Sequence, residues 1–190
     1  MKRTLKFVVN TVALVLMFPL AALTGFGRSE VMFQMFSQAL ASAPGIPGDY
    51  FRVAFYRMTL TQCSLESRIS FGTIFGQSSV TIEKGVYIGA YCVVGACSIG
   101  ARTQIASHVQ ILSGNRQHKR DESGQIQGME EGNLIPVRIG TDCWIGASAI
   151  IMADVGSGST VGAGAVVPRP VPDGVVAVGN PAQVIKRASV

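Results

Sequence analysis

The stretch IGTDCWIGASAIIMADVGSGSTVGAGAVV, residues 139–167, returns an aliphatic residue at Ile139, Ile145, Ile151, Val155, Val161 and Val167. The same spacing runs upstream through Ile82, Ile88, Val94, Ile99, Ile105 and Ile111. Of the ten steps inside these two runs, eight are six residues long, one is five and one is four. A fixed period of six belongs to neither an α-helix nor an isolated strand. It is the signature of a parallel β-helix, in which each hexad makes one short strand and one turn.

The other places of the hexad follow from that geometry. The aliphatic side chain points inward and stacks on its neighbours one coil above and below. The fifth place, held by Cys92, Thr103, Val109, Cys143, Ala149, Ser159 and Ala165, must also fit a narrow interior. The fourth place carries Gly85, Gly114, Gly158 and Gly164, which suits turns that demand positive φ. The predicted fold class is therefore all-β, a parallel β-helix over residues 65–190, traceable back to about Ile69.

One insertion breaks the run. Residues 113–137, SGNRQHKRDESGQIQGMEEGNLIPV, hold seven of the chain's 27 Lys, Arg, Asp and Glu residues and lack apolar periodicity. A loop this long inside a compact domain is usually functional or disordered. After Val167 the segment PRPVPDG ends the repeats. Asn180-Pro181 then reads as an N-cap followed by proline at the first helical position, so PAQVIKRA is expected to form a short C-terminal helix.

Residues 1–64 read differently. From Phe7 to Phe26 there is no charge, and Lys2, Arg3 and Lys6 precede that stretch. Twenty such residues can cross a bilayer core as a helix. A secretory signal peptide is the competing reading, although the stretch is long for one and Pro44 spoils the Ala41-Ser42-Ala43 cleavage site. Val31 to Ile46 is also uncharged, and Pro19 and Gly25 interrupt the first stretch. Residues 5–46 are therefore expected to enter and leave the membrane on one face, as a hairpin or interfacial anchor. Val31 to Ile46 as a helix packed on the body is the alternative. The first reading puts the body on the cytoplasmic face of the inner membrane; the other leaves the protein cytoplasmic.

Charge and cysteine usage exclude several classes. Lys2, Arg3, Lys6 and Arg28 give +4 of the net +5, and the remaining 162 residues carry 12 basic and 11 acidic groups. A nearly neutral body makes no broad phosphate-tracking surface, so no nucleic acid is expected. The four cysteines form no CxxC pair and the chain has two histidines, so no zinc site is expected. Small, buried, reduced thiols are the expectation, although a Cys92–Cys97 disulfide stays open from spacing alone.

The hexads, the loop with its histidine and the closing VGNPAQVIKR resemble the hexapeptide-repeat acyltransferases over residues 65–187. The branch of similarity is that of the galactoside/maltose O-acetyltransferases and their surface-polysaccharide relatives. The resemblance implies a left-handed coil, a homotrimer, and acetyl-CoA sites between adjacent subunits. It implies that His118, in VQILSGNRQHKRD, is the general base. A neutral imidazole with a pKa of about 6.5 can take a sugar hydroxyl's proton at physiological pH. Such a base is worth about 10²–10⁴ in rate. Asp121, Glu130 and Glu131 share the loop as candidate orienting carboxylates. His108, at a fourth place, points outward toward the surface or a substrate groove.

By the same resemblance Trp144 lines the acyl-CoA site, the Ala147 N–H donates to the oxyanion, and Ala163 contacts the pantetheine arm. Lys186 matches a position near the CoA phosphates. Gln183 stands where a cation is common, and Arg169 or Arg187 would compensate. Structural roles compete for each: Trp144 as an aromatic on the coil surface, Ala163 as a plain turn residue, Lys186 as an exposed helix residue. The expected function is acetyl-CoA-dependent O-acetyl transfer to a sugar or surface-polysaccharide hydroxyl, without a metal. The alternative is a membrane-tethered, non-catalytic β-helix scaffold.

Overall fold

The computed structural model describes residues 2–114, 120–126, 128 and 135–187. Among the described residues three helices, α1 (Lys2–Leu23), α2 (Glu30–Ala41) and α3 (Gly45–Thr59), precede sixteen short strands. The strands form three parallel faces. The first face stacks Gln62–Cys63, Val80–Ile82, Cys97–Ile99 and Val137–Ile139. The second runs from Arg68–Ile69 through Tyr87–Ile88, Gln104–Ile105, Trp144–Ile145 and Thr160–Val161 to Val175–Val178. The third stacks Ile74–Phe75, Val93–Val94, Gln110–Ile111, Ile150–Ile151 and Val166–Val167. This is a parallel β-solenoid of about six turns, consistent with the left-handed β-helix implied by the hexads.

Register explains the period. Ile88, Ile105, Ile145 and Val161 lie in one cross-strand row, and all four are buried. Phe75, Val94, Ile111, Ile151 and Val167 form the matching row on the third face. Each fully buried Val or Ile contributes about 1.5–3 kcal/mol over an exposed one. Hydroxyls at the fifth place are satisfied inside the coil: buried Thr103 donates to Gly140 O at 2.7 Å and accepts from Cys143 N at 3.0 Å. The fourth place does adopt positive φ, but Tyr91, Arg102, His108, Asp142 and Ser148 do so as well as glycine. All four cysteines are buried, free thiols. Burial pushes Cys63 up to about 11 and Cys97 to about 12.

Helices α2 and α3 cover the first coil. Phe33, Phe55, Tyr56 and Phe75 form an aromatic cluster, with the Tyr56 and Phe75 rings 4.4 Å apart. Ser37 Oγ accepts from Phe75 N at 3.0 Å and pairs with the Tyr56 hydroxyl at 2.8 Å. Val31 to Ile46, expected as the second arm of a membrane hairpin, thus contains a helix packed on the body. The first strand lies at Gln62–Cys63, slightly ahead of where the hexads become legible. Helix α1 packs one stripe inward, with Ala13 and Ala21 buried and Met17 and Leu20 against the core. Much of the rest of its surface is apolar and exposed: Phe7, Val15 and Leu23 are 60–71% accessible. From Thr4 to Leu23 it is long and apolar enough to cross a membrane.

The C-terminal helix is corrected. Gln183–Arg187 is a strand, antiparallel to Val175–Val178, with Lys186 opposite Val176. The end of the second face offers unpaired backbone groups that a helix would leave unmet. Those partners, with Ala182 N donating to Val166 O at 2.7 Å, outweigh the local Asn-Pro signal.

Candidate acyl-transfer site

Four successive turns join the second face to the third at one corner: 89–92, 106–109, 146–149 and 162–165. At each, the fourth-place N–H donates to the third-place carbonyl of the coil before. His108 N reaches Ala90 O at 2.9 Å, Ser148 N reaches Ser107 O at 3.0 Å, and Gly164 N reaches Ala147 O at 2.8 Å. The third-place N–H groups of Ala147 and Ala163 make no hydrogen bond among the described residues, and both residues are exposed. Two unpaired donors therefore stack one coil apart, about 4.8 Å, on the outside of the solenoid. Gly146 O accepts from Ala149 N at 3.3 Å, while Ser148 has φ +59. These are the marks of a type II turn with Ala147 at its second position.

Trp144 lies three residues before Ala147 on the second face, paired with Gln104 and Thr160, and its side chain is 61% accessible. An indole this open adds little to the solenoid core. Trp144, Thr160, Val176 and Lys186 occupy one cross-strand row. The backbone of Lys186 is thus three strand spacings from Trp144, about 14 Å; the Lys186 side chain lies outside the described atoms. Gln183 opposes Val178 in the same added strand. Arg169 lies at another corner, where it lines a cavity of about 400 Å3 with Ala182 and Gln183.

The charged loop departs from a different corner, between the third and first faces. Its root is anchored: buried Ser113 Oγ accepts from Ala96 N at 2.8 Å and contacts Gln77 Oε1 at 3.1 Å. His118 lies outside the described residues, as do Glu130 and Glu131. Asp121 is described, and it serves its own turn. Its Oδ1 accepts from Ser123 Oγ at 2.6 Å, Ser123 N at 2.9 Å and Gln125 N at 3.0 Å. Those bonds, the Ser123 hydroxyl first, hold its carboxyl below the usual range. The structure brings together Trp144, Ala147, Ala163 and the Lys186 backbone; it leaves the loop root one face away.

His108 is exposed and outward at the same corner, one coil before Ser148, as its fourth place predicted. Sequence reading missed its neighbour. The Tyr91 ring stacks on the His108 ring at 5.3 Å and 13°, and Phe71 meets Tyr91 edge-on at 5.5 Å. The missed signal was a bulky residue at a place that favours glycine. Among the described residues there is no group of three His, Cys, Asp or Glu able to hold a metal.

Residues 136–169 match the family described as the hexapeptide repeat of succinyl-transferase. A candidate acetyltransferase of Schizosaccharomyces pombe is 34% identical over 96 residues, 50% of this chain and 44% of that protein. This chain therefore spans less than half of that relative. AntD, an N-acyltransferase from Bacillus cereus solved with dTDP and 3-hydroxybutyryl-CoA, is 26% identical with a TM-score of 0.53. That similarity covers 65% of this chain and 70% of AntD. A maltose O-acetyltransferase from Clostridium difficile 630 has the same fold, at 22% identity and a TM-score of 0.51, over 85% of this chain and 89% of its own. Its stacked hexads and this matched segment make the chain similar to the hexapeptide-repeat acyltransferases.

Proposed function

We propose that the chain is an acetyl-CoA-dependent O-acetyltransferase modifying a hydroxyl of a sugar or surface-polysaccharide precursor by direct transfer. One observation carries the reading. The unpaired, exposed N–H groups of Ala147 and Ala163 stack beside an exposed Trp144, inside the segment matched by the family. The acyl-CoA bound by AntD supports acetyl-CoA as co-substrate, which supplies an activated thioester. Trp144 and Ala163 would hold its pantetheine arm, and Lys186, in the Trp144 row, its phosphates.

His118 would take the acceptor's proton as its oxygen attacks the thioester carbon. The Ala147 N–H would hold the negative charge developing on the thioester oxygen. As the C–S bond breaks, His118 would return the proton to the leaving sulfur. Because the loop root and Ala147 occupy different corners, a homotrimer in which the loop of one copy meets the Trp144 face of the next fits the chemistry. The exposed apolar surface of α1, lying in the interface as an anchor, would give the membrane association expected of residues 5–46 and would keep the body on the cytoplasmic face.

A second reading, transfer to a sugar amine, is favoured by AntD, an N-acyltransferase also solved with dTDP-4-amino-4,6-dideoxyglucose and coenzyme A. Thiol release from acetyl-CoA, measured with neutral and amino sugars, separates them. The expected result is turnover with a hydroxyl acceptor that falls about 10²–10⁴-fold in His118→Ala. Turnover with amino sugars alone would select the second reading, and equal rates in both proteins would remove His118 as the base. An absence of both turnover and CoA binding would leave a scaffold.

A further inference from the structure

The seam between α1, α3 and the first coil holds two adjoining cavities, one that mixes charged with apolar residues and one that is wholly apolar. One, of about 260 Å3, is lined by Lys6 and Asn10 of α1, Asp49 and Tyr50 of α3, and Glu66 and Arg68 of the first coil. The other, of about 400 Å3, is walled by Val8, Val12 and Leu16 of α1 with Pro47 and Phe51 of α3. Ile46 and Tyr50 belong to both.

The mixed cavity is braced from behind by a buried guanidinium. Buried Arg52 donates to Ile69 O at 2.9 Å, Leu40 O at 3.1 Å and Ala43 O at 2.8 Å, and pairs with Asp49 at 2.6 Å. Asp49 also accepts from Arg68 Nε at 2.7 Å. One carboxylate is thus shared by two guanidinium groups. Arg68 remains 61% accessible, and Lys6 has no ion pair among the described residues. The lining itself holds two cations, Lys6 and Arg68, and two carboxylates, Asp49 and Glu66. Buried Arg52, behind the lining, already neutralises Asp49, so Lys6 and Arg68 face Glu66 with one positive charge in excess, which a phosphodiester would neutralise.

We propose that this seam binds one phospholipid molecule, with its phosphate at Lys6 and Arg68 and an acyl chain along the apolar cavity. A headgroup alone would leave the Val8–Leu16 wall in water, and a hydrocarbon alone would leave the cationic end unmatched. The apolar outer surface of α1 brings the seam to lipid. The inference does not depend on acetyl transfer, so either can fail without the other.

The test titrates fluorescent lysophosphatidylglycerol, below its micelle concentration, into the full chain. Saturation at one molecule per chain is expected. Binding should be at least tenfold weaker for an uncharged monoacylglycerol of equal chain length, and inorganic phosphate should not compete. Lys6→Glu and Val12→Asp should each weaken it at least tenfold with unchanged melting, whereas Val15→Asp, outside both cavities on the same helix, should not. Should Lys6→Glu fold poorly, Lys6→Gln tests the same charge. Unsaturable uptake, equal affinity for the two lipids, displacement by phosphate alone, or insensitivity to both cavity variants would overturn the assignment.

Discussion

Ile145 in the coil and Phe55 in α3 are both fully buried, yet different physics holds them. Ile145 sits between Ile105 and Val161, residues of its own kind in the same row one coil away on either side. Phe55 sits in an irregular aromatic cluster with Phe33, Phe36 and Tyr56. The coil distributes its stability over equivalent neighbours, as one-dimensional repeats do. The helical cap depends on a few polar links, chiefly Arg52 and Ser37, which join it to the first coil. Periodic burial tolerates apolar variation at any one rung; the cap concentrates its attachment in single side chains.

The sharpest way to break that comparison is a charge inside the coil. Ile145→Asp would bury a carboxylate with no partner, a cost that rivals the whole stability of a domain. Loss of the cooperative melting transition is expected; a melt within a few degrees of the parent would deny the inward stack. Next comes Arg52→Met, which leaves Asp49 to Arg68 alone and takes the donor from the Ile69 and Ala43 carbonyls, at a cost of about 1–3 kcal/mol for each unmet group. Hydrogen exchange should speed up in α2 and α3 while residues 139–167 keep their protection; equal loss in both regions would merge them into one cooperative unit.

The smallest effect is alkaline and spares neither region. Burial raises Cys63, under the cap, and Cys97, in the coil, above the ordinary value near 9. A thiol raised in the fold contributes its full stabilisation below the unfolded value and loses it as pH climbs through the folded one. Melting temperature should therefore decline from about pH 9 toward 11–12, and Cys97→Val should flatten part of that decline. An identical slope in the variant would mean other groups govern it.

How far the sequence spoke tracks this same division. Inward places recur, so each of Ile139, Ile145 and Ile151 corroborates the others, and the stacked coil could be read before any coordinates. The strand at Gln183–Arg187 could not, because Asn180-Pro181 is a local helix signal, whereas the open edge of Val175–Val178 is a tertiary fact. Helix α1 hid its packing stripe because an almost uniformly apolar helix has no polar side to betray orientation. Within the candidate site, the resemblance singled out Trp144, Ala147 and Ala163, and the repeat alone gave only their places in the hexad. The row joining Trp144 to Lys186 needed the antiparallel strand, and the stack of Tyr91 on His108 needed the coil register.

The account turns on the corner that exposes the Ala147 N–H. A second position of a type II turn accepts proline, so Ala147→Pro deletes that donor while keeping the turn. Steady-state acetyl transfer by Ala147→Pro, with melting temperature measured on the same sample, is the most direct test. We predict a fall in kcat of about 10²–10³ with the fold intact. An unchanged kcat in a folded protein would contradict the assignment of this corner to acyl transfer.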